Sequence, residues 1–156
     1  MRFSPLPDNE LLREYFNYDK DTGAVTWLKQ ASPRALIGSK VGYVTTDGYL
    51  RVKLQGKQYL LSRIIWKVVT GFEPLEEIDH INRVRTDNRW ENLRDVTHQQ
   101  NHLNRGAKGY QQRFNGRYSV KVQNKCFGTF DTTEEASLAY EVAREKVLND
   151  SLRNRL

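Results

Sequence analysis

The chain has 156 residues, a length that fits one domain or two or three very small ones and excludes the large enzyme folds. Its 25 Lys and Arg outnumber 19 Asp and Glu, which gives a net charge of +6, and only 38% of the residues are hydrophobic. The single cysteine, Cys126, cannot form an internal disulfide, and no paired CxxC motif offers a zinc site. Composition therefore predicts small modules in a reducing compartment.

No stretch of the chain has the apolar length of a signal peptide or of a membrane span. We therefore expect a soluble, cytoplasmic protein with no membrane partner.

The first half of the chain is predicted to contain short elements of both kinds. Apolar spacing predicts a capped helix near residues 7–16, and a turn rich in Asp and Gly predicts a hairpin over 18–27, followed by a loop over 29–42. From Tyr49 the residues alternate, which predicts a strand whose polar face carries Arg51 and Lys53, two cations that we expect to contact DNA. Ser62 is then expected to cap a helix that ends at Gly71.

The second half divides into a polar block, 78–104, and a block with strand signals. Strands are predicted over 110–114, 118–122 and 126–130, separated by Asn-rich turns. A helix begins at Thr132 or Thr133 with an apolar stripe that suits packing on a three-stranded sheet, and a polar tail follows over 149–156. The predicted class is α+β.

Four polar residues of the 78–104 block have the chemistry of metal-assisted phosphodiester hydrolysis. Asp79 and the amide oxygen of Asn101 are hard ligands that suit Mg²⁺. His80 can take a proton from an attacking water, provided that its other nitrogen is held, and Asn92 could hold it. Because Asp, His and Asn also form ordinary turns, these residue types alone leave a purely structural role open.

The order and spacing of the block carry a family resemblance. The runs 78–82 (IDHIN), 87–94 (DNRWENLR) and 100–104 (QNHLN) closely resemble the HNH endonucleases of phages and group I introns, which are ββα-metal nucleases. The resemblance implies that Asp79 and Asn101 bind Mg²⁺ or another divalent cation such as Mn²⁺, that His80 is the general base and that Asn92 orients it.

The resemblance covers most of residues 10–105 and includes the helix with Arg63, which we expect to contact DNA. One departure is Ser62, since the family commonly has a histidine directly before that arginine. His98 and His102 flank Asn101 and are expected to be exposed polar residues of a helix, with His102 an additional candidate for a phosphate contact.

The last block is basic as well as rich in strand signals. No acidic residue lies between Asp95 and Asp131, whereas Lys and Arg occur six times. This imbalance favours a polyanion as partner, although charge alone is equally compatible with a solvated face. The six are Arg105, Lys108, Arg113, Arg117, Lys121 and Lys125.

The strand and helix motifs of this block resemble the APETALA/ethylene-response-factor DNA-binding domain. Its pattern lies in GY at 109–110, GRYSVKV at 116–122, FGTFDT at 127–132, EEA at 134–136 and AY at 139–140. The resemblance implies that the sheet lies in the major groove, with Lys108 and Lys125 contacting phosphates. Strand alternation places five side chains on the outward face: Gln111, Arg113, Arg117, Ser119 and Lys121.

Together these patterns predict a homing endonuclease of two modules. Residues 1–105 would form the HNH nuclease with an N-terminal hairpin and helix extension, and residues 106–156 the DNA-binding domain. One site per chain predicts a monomer that nicks double-stranded DNA, in the host cytoplasm if a phage encodes it. Two alternatives stay open: a sequence-specific DNA-binding regulator whose nuclease-like scaffold does not cut, and a non-specific nuclease.

Overall fold

The structure, a computed structural model, describes residues 4–104 and 108–153. Within these ranges four α-helices and several small antiparallel sheets confirm the predicted α+β class. The chain divides into two compact units, Met1–Thr97 and His98–Leu156. This division lies before the module boundary predicted at 105/106. None of the helices in the described ranges is both long enough and apolar enough to cross a membrane.

The first unit opens with a helix and a hairpin. Helix α1 (Asn9–Tyr15) leads directly into β1 (Phe16–Tyr18), which pairs antiparallel with β2 (Val25–Trp27). The side chain of Leu12 is fully buried, and the rings of Phe16 and Trp27 pack with centroids 5.0 Å apart. The predicted hairpin therefore forms part of the hydrophobic core of this unit.

A small sheet follows, in the order β3 (Tyr43–Val44), β4 (Leu50–Leu54) and β5 (Lys57–Leu60). The turn between β4 and β5 has positive φ at Gln55 (48°) and Gly56 (80°), the conformation that matches the twist of a tight hairpin. Val52 and Leu54 are buried whereas Lys53 is exposed, which confirms the alternation predicted for this strand.

Helix α2 (Leu61–Thr70) continues from the sheet without a side-chain cap. Leu60 occupies the N-cap position, so the prediction that Ser62 caps the helix is wrong. Ser62 instead lies within the first turn and is buried, because this end of the helix packs into the core. The helix ends as predicted at Gly71, whose φ of 86° allows its N–H to bond the Lys67 carbonyl at 2.8 Å.

The polar block forms an antiparallel pair, β6 (Glu77–His80) and β7 (Leu93–Val96). A loop connects the strands and ends in a short 3-10 helix, Trp90–Asn92. The Trp90 ring packs against Trp66 of α2 with centroids 5.1 Å apart. This contact fixes the loop on the helix of the core.

The second unit contains α3 (His98–Leu103), a sheet and a long helix. Strands β8 (Tyr110–Gln112), β9 (Tyr118–Val122) and β10 (Lys125–Phe130) form the sheet with β9 in the middle. Helix α4 (Thr133–Arg153) packs its predicted small apolar stripe, including Ala136, Tyr140 and Ala143, on the sheet. Unlike the prediction, α4 continues through most of the polar tail, because Leu148 is fully buried and Ser151 accepts a bond from Gln100 at 2.9 Å.

Candidate active site

The strand pair β6–β7 presents Asp79 and His80 together at the end of β6. In the register of the pair, Asp79 lies opposite Arg94 and His80 opposite Leu93. Both polar side chains are buried, at 6% exposure for Asp79 and 3% for His80. Burial of a carboxylate and an imidazole is costly unless each is paired, so their partners decide what the site can do.

Arg94 is the ionic partner of Asp79. Its Nε donates to Asp79 Oδ2 at 2.8 Å, and its Nη2 lies 2.8 Å from the same oxygen. Because both side chains are almost fully buried, the guanidinium balances the carboxylate charge in a low-dielectric environment. Arg94, on the neighbouring strand, thus balances the charge of Asp79 at this end of the strand pair.

His80 is held by a residue to which the sequence assigned no role. Its Nε2 lies 3.0 Å from Oδ1 of Asn88, which is itself only 2% exposed. Burial lowers the pKa of His80, and the bond to Asn88 acts in the opposite direction. The imidazole is therefore favoured in its neutral form, which is the form that accepts a proton.

The carboxamide of Asn92 makes different contacts from those expected of it. Its Nδ2 donates to the Asp87 carbonyl at 2.7 Å, and its Oδ1 accepts from the Asn82 N–H at 2.9 Å. These bonds close the loop between β6 and β7 on itself. We expected Asn92 to hold His80. In the structure the Asn92 side chain bonds the loop, and Asn88 contacts the imidazole.

The loop also brings a cation close to His80 that the sequence analysis missed. The centroids of the Tyr49 and His80 rings lie 6.0 Å apart. The Arg85 guanidinium lies over the Tyr49 ring, 4.9 Å from its centroid. Arg85 also donates to the Asp47 carbonyl at 2.6 Å. The sequence signal for it was the segment 83–85 (RVR) inside the polar block, of which the fold places Arg85 over Tyr49.

Arg63 does not have the exposed position expected of a DNA contact. It is 6% exposed, donates to the Glu76 carbonyl at 2.9 Å and lies 3.7 Å from a Glu73 carboxylate oxygen. Its guanidinium therefore ties α2 to the segment that leads into β6. Arg63 was expected to contact DNA, but it lies on the inward face of α2. The helical pattern alone did not reveal which face it occupies.

The other two cations of the first unit that are predicted to contact DNA differ in exposure. Lys53 is exposed on β4, whereas Arg51 is half-buried and pairs with Asp47 at 3.0 Å. Arg105 lies outside the described residues.

In the second unit, the face of the sheet opposite α4 is polar and basic. Most of the predicted residues of this unit are exposed: Lys108, Gln111, Arg113, Lys121 and Lys125. Arg117 is also exposed, but its Nε pairs with Asp131 at 2.7 Å.

Ser119 is the exception on this face, with an exposure of only 2%. Its short side chain lies on the middle strand between Gln111 of β8 and Thr129 of β10, its partners in register. The predicted outward-facing serine is thus covered by longer neighbours, and its hydroxyl lies 3.4 Å from the Gln111 carbonyl.

The donor chemistry of the predicted metal ligands fits a hard cation. Asp79 supplies carboxylate oxygens and Asn101 a carboxamide oxygen, which are types that Mg²⁺ accepts together with water. Asn101 lies half-buried on α3 of the second unit, and its pairing with Asp79 stays a prediction. Across the described ranges, no group of three or more His, Cys, Asp or Glu gathers as a metal site.

Comparison with known proteins identifies the segment that carries Asp79 and His80. Residues 59–103 match the family model described as HNH endonuclease. This segment is thus similar to the HNH endonucleases, a match that supports the predicted enzyme class, a DNA-cleaving hydrolase. The match ends at residue 103 and does not extend to the sheet and helix of the second unit.

One solved structure is similar, that described as "DNA binding and cleavage by the HNH homing endonuclease I-HmuI". The alignment has 24% identity and a TM-score of 0.47, and it covers 63% of this chain. The chain spans about half the length of that protein, at 55%. Comparison with curated proteins gave no match.

Proposed function

We propose that this protein is a metal-dependent endonuclease that cuts double-stranded DNA, and that it serves as a homing enzyme. The observation that carries the proposal is the buried pair Asp79–His80 at the end of β6, inside the segment that matches the HNH endonucleases. The imidazole is oriented by Asn88, and the carboxylate is balanced by Arg94.

In the proposed reaction His80 acts as the general base. With Asn88 Oδ1 accepting a hydrogen bond from Nε2–H, Nδ1 is the basic nitrogen of the neutral ring, the one to which the proposal assigns the proton of the attacking water. A positioned base of this kind contributes about 10²- to 10⁴-fold to the rate. Arg85, stacked on Tyr49 beside His80, supplies positive charge toward a phosphate.

A divalent cation completes the proposed chemistry. Asp79 and Asn101 would hold Mg²⁺ or Mn²⁺ between them, as the family resemblance implies. When bound, such an ion stabilises negative charge on the phosphate and on the leaving oxygen.

We further propose that the second unit addresses the enzyme to its DNA in the manner of the APETALA/ethylene-response-factor domain. The support is the stretch 96–130, which holds no acidic residue, and the exposed Gln111, Arg113 and Lys121 on or beside the sheet, with α4 packed on one of its faces. Arg and Gln are the side chains that read guanine and adenine edges, with about 1–3 kcal/mol of discrimination each.

The first test is conversion of supercoiled plasmid to nicked or linear DNA with Mg²⁺, Mn²⁺ or EDTA. We expect cutting with the metals, none with EDTA, and a loss of at least about 10²-fold in His80→Ala. The matched control is His98→Ala, which removes an exposed imidazole and should leave the rate unchanged. A higher proportion of nicked than linear product at early times would indicate a monomer that cuts one strand.

The competing function is a DNA-binding regulator that does not cut, which the serine at position 62 would favour. Ser62 is buried in the first turn of α2, so the larger side chain of a histidine at this position would have to fit into the hydrophobic core. Metal-independent binding without cutting of plasmid or phage DNA would support the regulator. Equal cutting by His80→Ala and the unchanged protein would contradict the proposed active site.

A further inference from the structure

The N-terminal hairpin β1–β2 lies outside the segment that matches the HNH endonucleases, yet it contacts the loop that holds His80. The Tyr18 hydroxyl donates to the Asn88 carbonyl at 2.8 Å, and the Trp90 N–H donates to the Lys20 carbonyl at 3.0 Å. The hairpin therefore bonds the loop backbone on both sides of Arg89.

Gly23, in the turn of the hairpin, packs directly on the same backbone. A Cβ atom at this position would lie 2.5 Å from Arg89 N and 2.6 Å from the carbonyl carbon of Asn88, both closer than real contacts allow. Its φ of 73° is also one that glycine adopts without strain. The turn thus abuts the Asn88–Arg89 peptide with no room for a side chain.

The buried side chain of Asn88 is only partly satisfied in its hydrogen bonding. It is 2% exposed, and its Nδ2 finds no hydrogen-bond partner among the described residues, while its Oδ1 faces His80 Nε2 at 3.0 Å. A buried donor without a partner costs stability. Stability therefore does not explain this carboxamide, whereas holding the imidazole does.

We propose that the N-terminal hairpin is a positioning element of the nuclease: Tyr18 and Gly23 fix the backbone of Asn88, and the Asn88 side chain fixes the orientation and tautomer of His80. This inference rests on the proposed function, in which His80 is the base. It makes Asn88 a positioning residue, since Asn88 acts through His80 and touches no reacting atom. Small displacements of a positioned group change rates by as much as about 10²-fold.

The test compares Asn88→Ala and Asn88→Asp with the unchanged chain. Under single-turnover conditions on supercoiled plasmid with Mg²⁺, we expect Asn88→Ala to lose about 10²-fold in cleavage rate. DNA binding measured in EDTA should change less than about twofold, because the residue is buried. Asn88→Asp keeps an acceptor oxygen and should restore the rate to within about tenfold of the unchanged chain.

Tyr18→Phe tests the hairpin with a minimal change. It removes the hydroxyl that bonds Asn88 and keeps the ring, and we expect a rate loss of about 3- to 10-fold with the binding of DNA unchanged. The matched control is Tyr15→Phe, since the Tyr15 ring packs edge-on against Trp27 at 6.5 Å rather than on the Asn88 loop. Equal losses in both variants would contradict a specific role for the hairpin.

A second readout does not depend on cutting. The ¹⁵N shifts of the His80 imidazole, assigned with His80→Ala, should show one tautomer protonated at Nε2 in the unchanged chain and a mixture in Asn88→Ala. If neither the shifts nor the rate respond to Asn88→Ala, or if Asn88→Asp is as slow as Asn88→Ala, the inference is wrong. A chain that cuts no plasmid yet shows the fixed tautomer would overturn the nuclease and retain the positioning.

Discussion

At the scale of the residue, Arg94 contributes to stability within the candidate active site. Its side chain is 11% exposed and that of Asp79 is 7% exposed, and their ion pair joins the two strands that carry the site. Removal of one partner from a buried pair leaves the other charge without compensation. The stability of β6–β7 therefore depends on a residue that touches no reacting atom.

We expect Arg94→Met to lower the free energy of unfolding by about 3–5 kcal/mol, because the buried Asp79 carboxylate would lose the guanidinium that lies 2.8 Å from it. Urea unfolding followed by circular dichroism measures this change. The control is Arg89→Met, whose partner Asp87 lies 2.8 Å away but whose own side chain is 42% exposed. That change should cost about 1 kcal/mol or less, and equal losses in the two variants would show that the Asp79 pair is not effectively buried.

The residues that sequence reasoning missed are those whose roles depend on the fold. Asn88 was part of the quoted motif but received no role, because only the closed loop brings it to His80. Arg63 was assigned to DNA because it is a cation in a helix, and the packing of α2 shows which face it occupies. Asp79 and His80, by contrast, could be proposed as site residues from the sequence, because the motif that contains them is local.

At the level of elements, the close contact of Gly109 with an aromatic ring contributes to the packing of the second unit. A Cβ atom at Gly109 would lie 2.0 Å from the ring of Tyr140, which belongs to the core between the sheet and α4. At Gly116, in the turn between β8 and β9, the same atom would meet nothing within 4 Å. Both glycines have positive φ, at 71° and 80°, so alanine strains both backbones alike.

We expect Gly109→Ala to destabilise the protein by about 1–3 kcal/mol more than Gly116→Ala, because only the first change displaces the Tyr140 ring. Chemical unfolding monitored by the near-ultraviolet signal of tyrosine provides the measurement. Equal destabilisation of the two variants would mean that the sheet and α4 separate easily at Tyr140.

Element prediction succeeded where one short segment contains its own signal. The apolar stripe of α4, the glycine at the end of α2 and the alternation of β4 were all readable from spacing. It failed where a distant segment decides the outcome. Residues 149–153 read as a polar tail, yet α4 continues there because Leu148 is buried and Ser151 bonds Gln100 of α3.

At the scale of the whole molecule, charge divides the chain more sharply than its net value of +6 suggests. The stretch from residue 96 to 130 holds no acidic residue, and its lysines and arginines lie mainly on exposed parts of the second unit. Each phosphate that a cation neutralises releases condensed counterions, so the number of such contacts can be counted from the dependence of DNA affinity on salt.

The double variant Lys121→Gln/Lys125→Gln should therefore lower the slope of log K against log salt concentration by up to about 1.8, since each phosphate contact contributes about 0.9 on duplex DNA. Titrations of a fluorescent duplex between 50 and 200 mM salt, roughly the range over which this effect is large, measure the slope. The control is Lys146→Gln, an exposed lysine of α4, the helix packed on the opposite face of the sheet. If the control lowers the slope as much as the double variant, DNA does not bind through Lys121 and Lys125, and the basic stretch is a solvated surface.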